Sequence, residues 1–179
     1  SVATAGDQPL FYELRVAGYP TEAPAADSTA ARIERRYLDL DGQPRNINKL
    51  TVGEQIIVHT RIEPEIAMPN GLLVDLLPAG LEIDNPNLGD LSALAELDIE
   101  GQTLGERLQP AELQHAEYRD DRYVAAVDLD TQGTTHLVYI LRAVTPGEYT
   151  WSAPSLEDMY LPERRAQGAD TRHIRVIAP

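Results

Sequence analysis

This sequence predicts an all-β fold, an antiparallel β-sandwich. Three observations lead to it: apolar residues mostly recur with period two rather than 3.6, the runs are short, and Gly, Pro and Asn clusters punctuate them at hairpin-like intervals. A chain of 179 residues, 42% hydrophobic and 25% charged, fits one ordinary globular domain with or without an extension. At that length roughly 70% of the unfolded surface is buried on folding, so the core depends on neither disulfides nor metals.

The elements follow in order. Leu10, Tyr12, Leu14 and Val16 alternate with Phe11, Glu13 and Arg15 as far as Gly18-Tyr19-Pro20, which reads as a strand. Residues 20–30 hold two prolines, small side chains and no period, the signature of a linker. Residues 1–30 are therefore expected to be an N-terminal strand and linker from a preceding region, and 31–179 the sandwich domain. Residues 32–40 form the next run, closed by Asp41-Gly42-Gln43-Pro44. Residues 55–63 follow, with Ile56, Val58, Thr60 and Ile62 on one face.

Asn70-Gly71 predicts a tight hairpin turn, because both central residues of such a turn need positive φ. Residues 72–77 leave it as a buried strand, Pro78-Ala79-Gly80 breaks the chain before 81–83, and Asn85-Pro86-Asn87 ends the segment. Residues 88–120 depart from the pattern. Leu91, Leu94, Ala95 and Leu97, then Leu104, Leu108 and Leu113, have helical spacing broken by Gly101, Gly105 and Pro110, so either short helices or a long excursion loop fits. Runs over 122–129, 134–144, 148–153 and 173–177 complete roughly seven to nine strands, with Thr145-Pro146-Gly147 as a second tight turn.

Composition excludes several functions. There is no cysteine, which removes thiol catalysis, Cys-based zinc sites, iron–sulfur clusters and disulfides. The net charge of −14 repels phosphate backbones and anionic lipid, so nucleic acid is not an expected partner. The longest apolar runs, such as 71–77, fall far short of a membrane span, so direct membrane insertion by this chain is not expected. The sequence opens at Ser1 with neither an initiator Met nor a signal-like run, which reads as a piece of a larger protein.

Residues 128–133 begin like a calcium loop, but Gln132 stands at the fifth position and Tyr139 at the twelfth, where Glu should close the cage; a hairpin turn accounts for them better. Asp39-Leu40-Asp41-Gly42 is likewise a solvated turn. His59, His115, His136 and His173 are scattered without i, i+4 pairing, and His59 and His136 sit within strand runs as structural residues, so no metal is expected. With no Gly-x-Ser-x-Gly elbow and no Gly-rich phosphate loop, neither a cofactor nor an active site is expected. Residues 156–165 lack alternation and place Met159 and Tyr160 among charges, with Pro162 favouring extended geometry at Leu161. They read as a loop that displays its side chains.

That loop carries a resemblance. Glu157-Asp158-Met159-Tyr160, Pro162-Glu163, Arg165-Ala166 and Gly168 together resemble the near-terminal motif of the bacterial α2-macroglobulin family. Gly18-Tyr19-Pro20, Ile33-Glu34-Arg35-Arg36-Tyr37, Leu50-Thr51-Val52-Gly53-Glu54, the run 74–83 with Asn85-Pro86-Asn87, and Leu141-Arg142-Ala143-Val144-Thr145-Pro146-Gly147 agree in order and spacing. Leu161 stands where many relatives carry a basic residue, and 88–120 matches least.

The resemblance implies a macroglobulin-type β-sandwich like the receptor-binding domain of the eukaryotic relatives. It would be the non-catalytic last domain of a periplasmic, lipoprotein-anchored, broad-spectrum protease inhibitor of bacterial defence. In thioester-bearing members, a tyrosine of this loop shields the thioester until a protease cuts the bait region; by position that residue is Tyr160. Met159, Glu157, Asp158, Pro162 and Glu163 are then its companions in a thioester-lock or interdomain contact. The implied partners are the preceding domains of the full-length chain and, through it, target proteases. The competing reading is a cell-envelope protein–protein interaction module in a member without the thioester, binding other envelope proteins through its acidic face or through 88–120.

Overall fold

The computed structural model describes residue 11 and residues 13–18, 22–84, 95–108 and 110–179. Alternation of buried and exposed side chains builds the first sheet. In β1 (Ala31–Leu38), Ala31, Ile33, Arg35 and Tyr37 point inward between exposed neighbours. β1 pairs with β3 (Gln55–Pro64), β3 with β10 (Thr135–Ala143), and β10 with β5 (Leu81–Asp84), all antiparallel. The facing five-stranded sheet runs β13 (Arg165–Gln167), β12 (Ser155–Asp158), β4 (Met68–Leu76), β9 (Arg122–Leu129), β8 (Leu113–Tyr118). Ile56, Val58 and Ile62 of β3 meet Leu73, Tyr123, Val127 and Leu156 of the opposite sheet in one buried cluster, the core of the expected sandwich.

A third sheet closes this core. β11 (Gly147–Trp151), β14 (Arg172–Ile177) and β2 (Lys49–Thr51) contribute Trp151, Ile174, Val176 and Leu50 to the same cluster. β14 and β2 run parallel, the one parallel pairing among the described strands of an otherwise antiparallel sandwich. Fourteen strands, several of them two or three residues long, stand among the described residues where seven to nine were expected.

One buried polar network crosses between sheets. Arg35 of β1 donates to Asp75 of β4 (Nη1 to Oδ1, 2.5 Å), and Asp75 also accepts from Tyr139 Oη (2.7 Å) and Trp151 Nε1 (3.2 Å). The Arg35 guanidinium lies 4.4 Å from the Trp151 ring centroid, and its Nη2 donates to the Asp170 carbonyl at 2.7 Å. Complete burial raises the Asp75 carboxyl, and the adjacent guanidinium draws it back. Three donors, one of them the Arg35 cation, surround the Asp75 carboxylate, while the buried Arg35 Nε makes no hydrogen bond among the described residues and lies 3.6 Å from Asp170 Oδ2.

The 88–120 excursion has more structure than either alternative foresaw; its residues 88–94 and 109 lie outside the described residues. β6 (Asp98–Ile99) and β7 (Gln102–Thr103) make a small hairpin, and α1 (Leu104–Arg107) follows on a capping box between Thr103 and Glu106. Leu113, expected at helical spacing, instead starts the edge strand β8. Ile99 and Leu104 pack on Leu38, Ile57, Val138 and Ile140, so the excursion covers the outer face of the four-stranded sheet with a second apolar cluster. β3 and β10 are thereby buried on both faces.

Two turn expectations and one strand expectation change. Asn70-Gly71 makes no hairpin turn: both lie within β4, beside a register shift between Met68 and Gly71. A Cβ at Gly71 would come within 3.2 Å of Val127 Cγ2 and 3.4 Å of Leu156 Cδ1, so glycine there serves close packing. Residues 128–133 do not close a hairpin, since β9 and β10 belong to opposite sheets; the connection crosses the sandwich, with Gln132 N–H bonded to Asp130 Oδ1 at 2.7 Å. Of the strand expected over 10–16, residues 11 and 13–16 are described and adopt no strand, while Leu10 and Tyr12 lie outside the described residues. Within the expected linker, Asp27 and Gln167 exchange two backbone hydrogen bonds of 3.0 and 2.7 Å, and Ala30 is buried.

Candidate functional site

The segment expected to be a displaying loop is a strand, a tight tip and a returning strand. Glu157 and Asp158 lie in β12, paired to Leu72 and Gly71 of β4 on one side, with Glu157 paired to Arg165 of β13 on the other. Alternation is present there: Leu156 and Asp158 are buried and Glu157 is exposed. It escapes a hydropathy reading because the second inward residue is an aspartate. The displayed part shrinks to residues 159–164.

The buried aspartate shapes the tip. Asp158 Oδ1 accepts from the Tyr160 and Leu161 amides at 2.9 and 3.0 Å, folding the backbone over its own side chain. Pro162 then takes the second position of a four-residue turn that Arg164 N–H closes on the Leu161 carbonyl at 2.8 Å, a position that suits its fixed φ. Met159 N–H bonds the Asn70 carbonyl of β4 at 3.0 Å, and Arg164 Nη1 donates to the Ala67 carbonyl of the β3–β4 connection at 3.2 Å, which moors the tip to both. Of the six residues singled out from the motif, Asp158 holds the tip, Pro162 turns it, Met159 and Tyr160 are displayed, and Glu157 and Glu163 are exposed.

The displayed surface is apolar. Tyr160 is 75% exposed, Met159 47% and Leu161 40%, and Ile66 of the mooring connection is also open to solvent. An apolar cluster on a hydrogen-bonded backbone is the form of a docking surface, since the chain that carries it is held in place before a partner arrives. No nucleophile–base pair stands at this tip, and its phenol can cover, stack or donate a hydrogen bond.

Sequence reasoning placed the four histidines apart, but the structure brings two together. His59 Nε2 and His136 Nδ1 lie 2.9 Å apart across β3 and β10, with Glu100 beside them. Only the strand register reveals this, since 77 residues separate the two. Among the described residues, no helix is long and apolar enough to cross a membrane.

Comparison with known proteins agrees with this architecture. Residues 31–163 match the family model described as the Bacterial Alpha-2-macroglobulin MG10 domain. The α2-macroglobulin of Escherichia coli K12 is 43% identical over 179 residues, covering 99% of this chain, and that of Xylella fastidiosa 9a5c is 44% identical over 163 residues, covering 91%. The chain spans 11% and 10% of the length of those two relatives. Among solved structures, E. coli α2-macroglobulin activated by porcine elastase superposes with a TM-score of 0.80 at 39% identity, over 90% of this chain and 14% of that one. Salmonella α2-macroglobulin reacted with methylamine gives a TM-score of 0.78 at 41% identity, over 90% of this chain and 10% of that one. With its sandwich, its matched domain and these identities, the chain belongs to the bacterial α2-macroglobulin family.

Proposed function

We propose that this chain is the non-catalytic, C-terminal docking domain of a periplasmic, lipoprotein-anchored α2-macroglobulin-type protease inhibitor, with residues 31–179 as the domain and 1–30 as its connection to a preceding region. Its tip covers a thioester carried elsewhere in the full-length protein until a protease cleaves that protein. The observation that carries this reading is the Tyr160 phenol, exposed at an apolar tip that Asp158, Pro162 and Arg164 hold in place. A thioester persists only where water and amines are kept away, and an aromatic ring can exclude both while its hydroxyl bonds a neighbour. The Salmonella relative reacts with methylamine and the E. coli relative is activated by elastase, behaviour that fits an amine-reactive centre guarded until proteolysis.

The test places a photo-reactive residue at position 160 of the full-length protein and compares cross-links before and after protease cleavage. Cross-links to the thioester domain that vanish on cleavage are expected. Cross-links only to separate envelope proteins, indifferent to cleavage, would overturn the shielding role and establish an envelope interaction module instead.

A further inference from the structure

The tip holds the one sulfur of this chain that solvent can reach. There is no cysteine, and there are two methionines. Met68, at the start of β4, is wholly buried in the main core, whereas Met159 is 47% exposed beside Tyr160 and Leu161. Trp151, the only tryptophan, is wholly buried as well. Oxidation of such side chains follows their exposure, so a peroxide meets a single open target of this kind.

The backbone that carries this sulfur is fixed. Met159 N–H bonds the Asn70 carbonyl at 3.0 Å, and the next two amides bond Asp158 Oδ1 at 2.9 and 3.0 Å. With Tyr160, Leu161 and Ile66, Met159 makes up the apolar surface of the tip. A thioether suits such a surface, because its sulfur is polarisable and packs well against rings and aliphatic groups. Its sulfoxide does not. The S–O dipole is a hydrogen-bond acceptor, and an apolar contact supplies it with no donor once water is excluded.

We propose that Met159 is an oxidation site that controls docking of the tip, with peroxides as the oxidant. The sulfur lone pair attacks one peroxide oxygen, the O–O bond breaks and an S–O bond forms. Sulfur is oxidised to the sulfoxide while the second oxygen is reduced and leaves, as water from hydrogen peroxide or as an alcohol from an organic peroxide. A sulfoxide reductase restores the thioether, two thiols becoming a disulfide as the oxygen departs in water. The control rests on the reading of the tip as the cover of a thioester. In the closed full-length protein the sulfur is covered, so oxidation proceeds through open molecules, and the sulfoxide then holds them open. Burying a sulfoxide without a donor shifts the balance toward the open form about tenfold, and thioester hydrolysis through that form speeds by the same factor.

The test has two arms. In the first, the 179-residue chain is treated with hydrogen peroxide, quenched with catalase and mapped by peptide mass spectrometry. One added oxygen at Met159 with Met68 unmodified is expected, and the melting temperature should move by no more than about 2 °C, because Met159 is half in solvent. Oxidation of Met68 at an equal rate overturns the site. In the second arm, the full-length protein and its Met159→Leu variant receive the same treatment, and thiol release from the thioester is followed once the peroxide is gone. Release about tenfold faster than in untreated protein is expected, with the treated Met159→Leu variant matching its own untreated rate. Equal acceleration in both proteins, no acceleration once Met159 carries its oxygen, or a Met159 that takes up none, overturns the control. Tyr160→Ala separates the two ways of failing. If that variant speeds release and oxidation does not, the cover stands and the oxidation control falls; if neither speeds release, the cover itself falls.

Discussion

Removing the Asp158 carboxylate would leave two amides of the tip without their acceptor, while the turn closed by Arg164 N–H on the Leu161 carbonyl remains. Asp158→Ala should cost about 1–2 kcal/mol, the size of a lost helix cap, and should speed hydrogen exchange at the Tyr160 and Leu161 amides. Tyr160→Ala should change stability by less than about 0.5 kcal/mol, because the ring contacts mostly solvent. The same substitution in the full-length protein should raise spontaneous thioester hydrolysis, and an unchanged rate would remove Tyr160 from that role. These two residues also show what a sequence can and cannot disclose. Tyr160 is legible through its neighbours in the motif, since a motif records chemistry position by position. The burial of Asp158 is not, because it depends on the placement of backbone donors that hydropathy cannot encode, and the His59–His136 contact depends on a register formed across 77 residues.

At the scale of elements, β10 explains why the excursion is part of the fold. Its odd-numbered residues, from Leu137 to Ala143, enter the main core, while Val138 and Ile140 lie under the excursion. Leu104, wholly buried against that outer face, is the anchor of α1. Leu104→Ala should cost about 2–5 kcal/mol. Hydrogen exchange should then show the amides of 98–108 losing protection while those of β4 and β9 keep theirs; uniform loss would mean that the two clusters are one cooperative unit. Period two located most of the long strands from sequence, because one face of each is buried and the other wet. Even β10, buried on both faces, lies within the run read over 134–144, whereas the pattern is lost where strands shrink to two or three residues, as in β6, β7 and β13. Gly71 misled for a related reason: a glycine that admits a neighbouring side chain and one that permits positive φ look alike in a sequence.

Across the whole molecule, the Arg35–Asp75 pair fastens the two facing sheets, and both side chains are fully buried. Arg35→Met should destabilise by about 3–5 kcal/mol, because it strands a carboxylate in the core. In an Asp75→Asn background the same change should cost at least about 1 kcal/mol less, as the charge it abandons is gone; equal costs in urea unfolding would mean that the arginine acts by packing alone. The third sheet has a further consequence, one of timing. Among the described residues, β2 and β11 pair within their sheet with β14 alone, so that pairing cannot form before residues 172–177 exist. With synthesis at about 5–20 residues per second, β2 waits several seconds on the ribosome for β14, with Leu50 unable to take its final place. A nascent chain stalled at residue 171 should therefore remain open to protease near residues 49–51, and a chain released beyond Ile177 should close there.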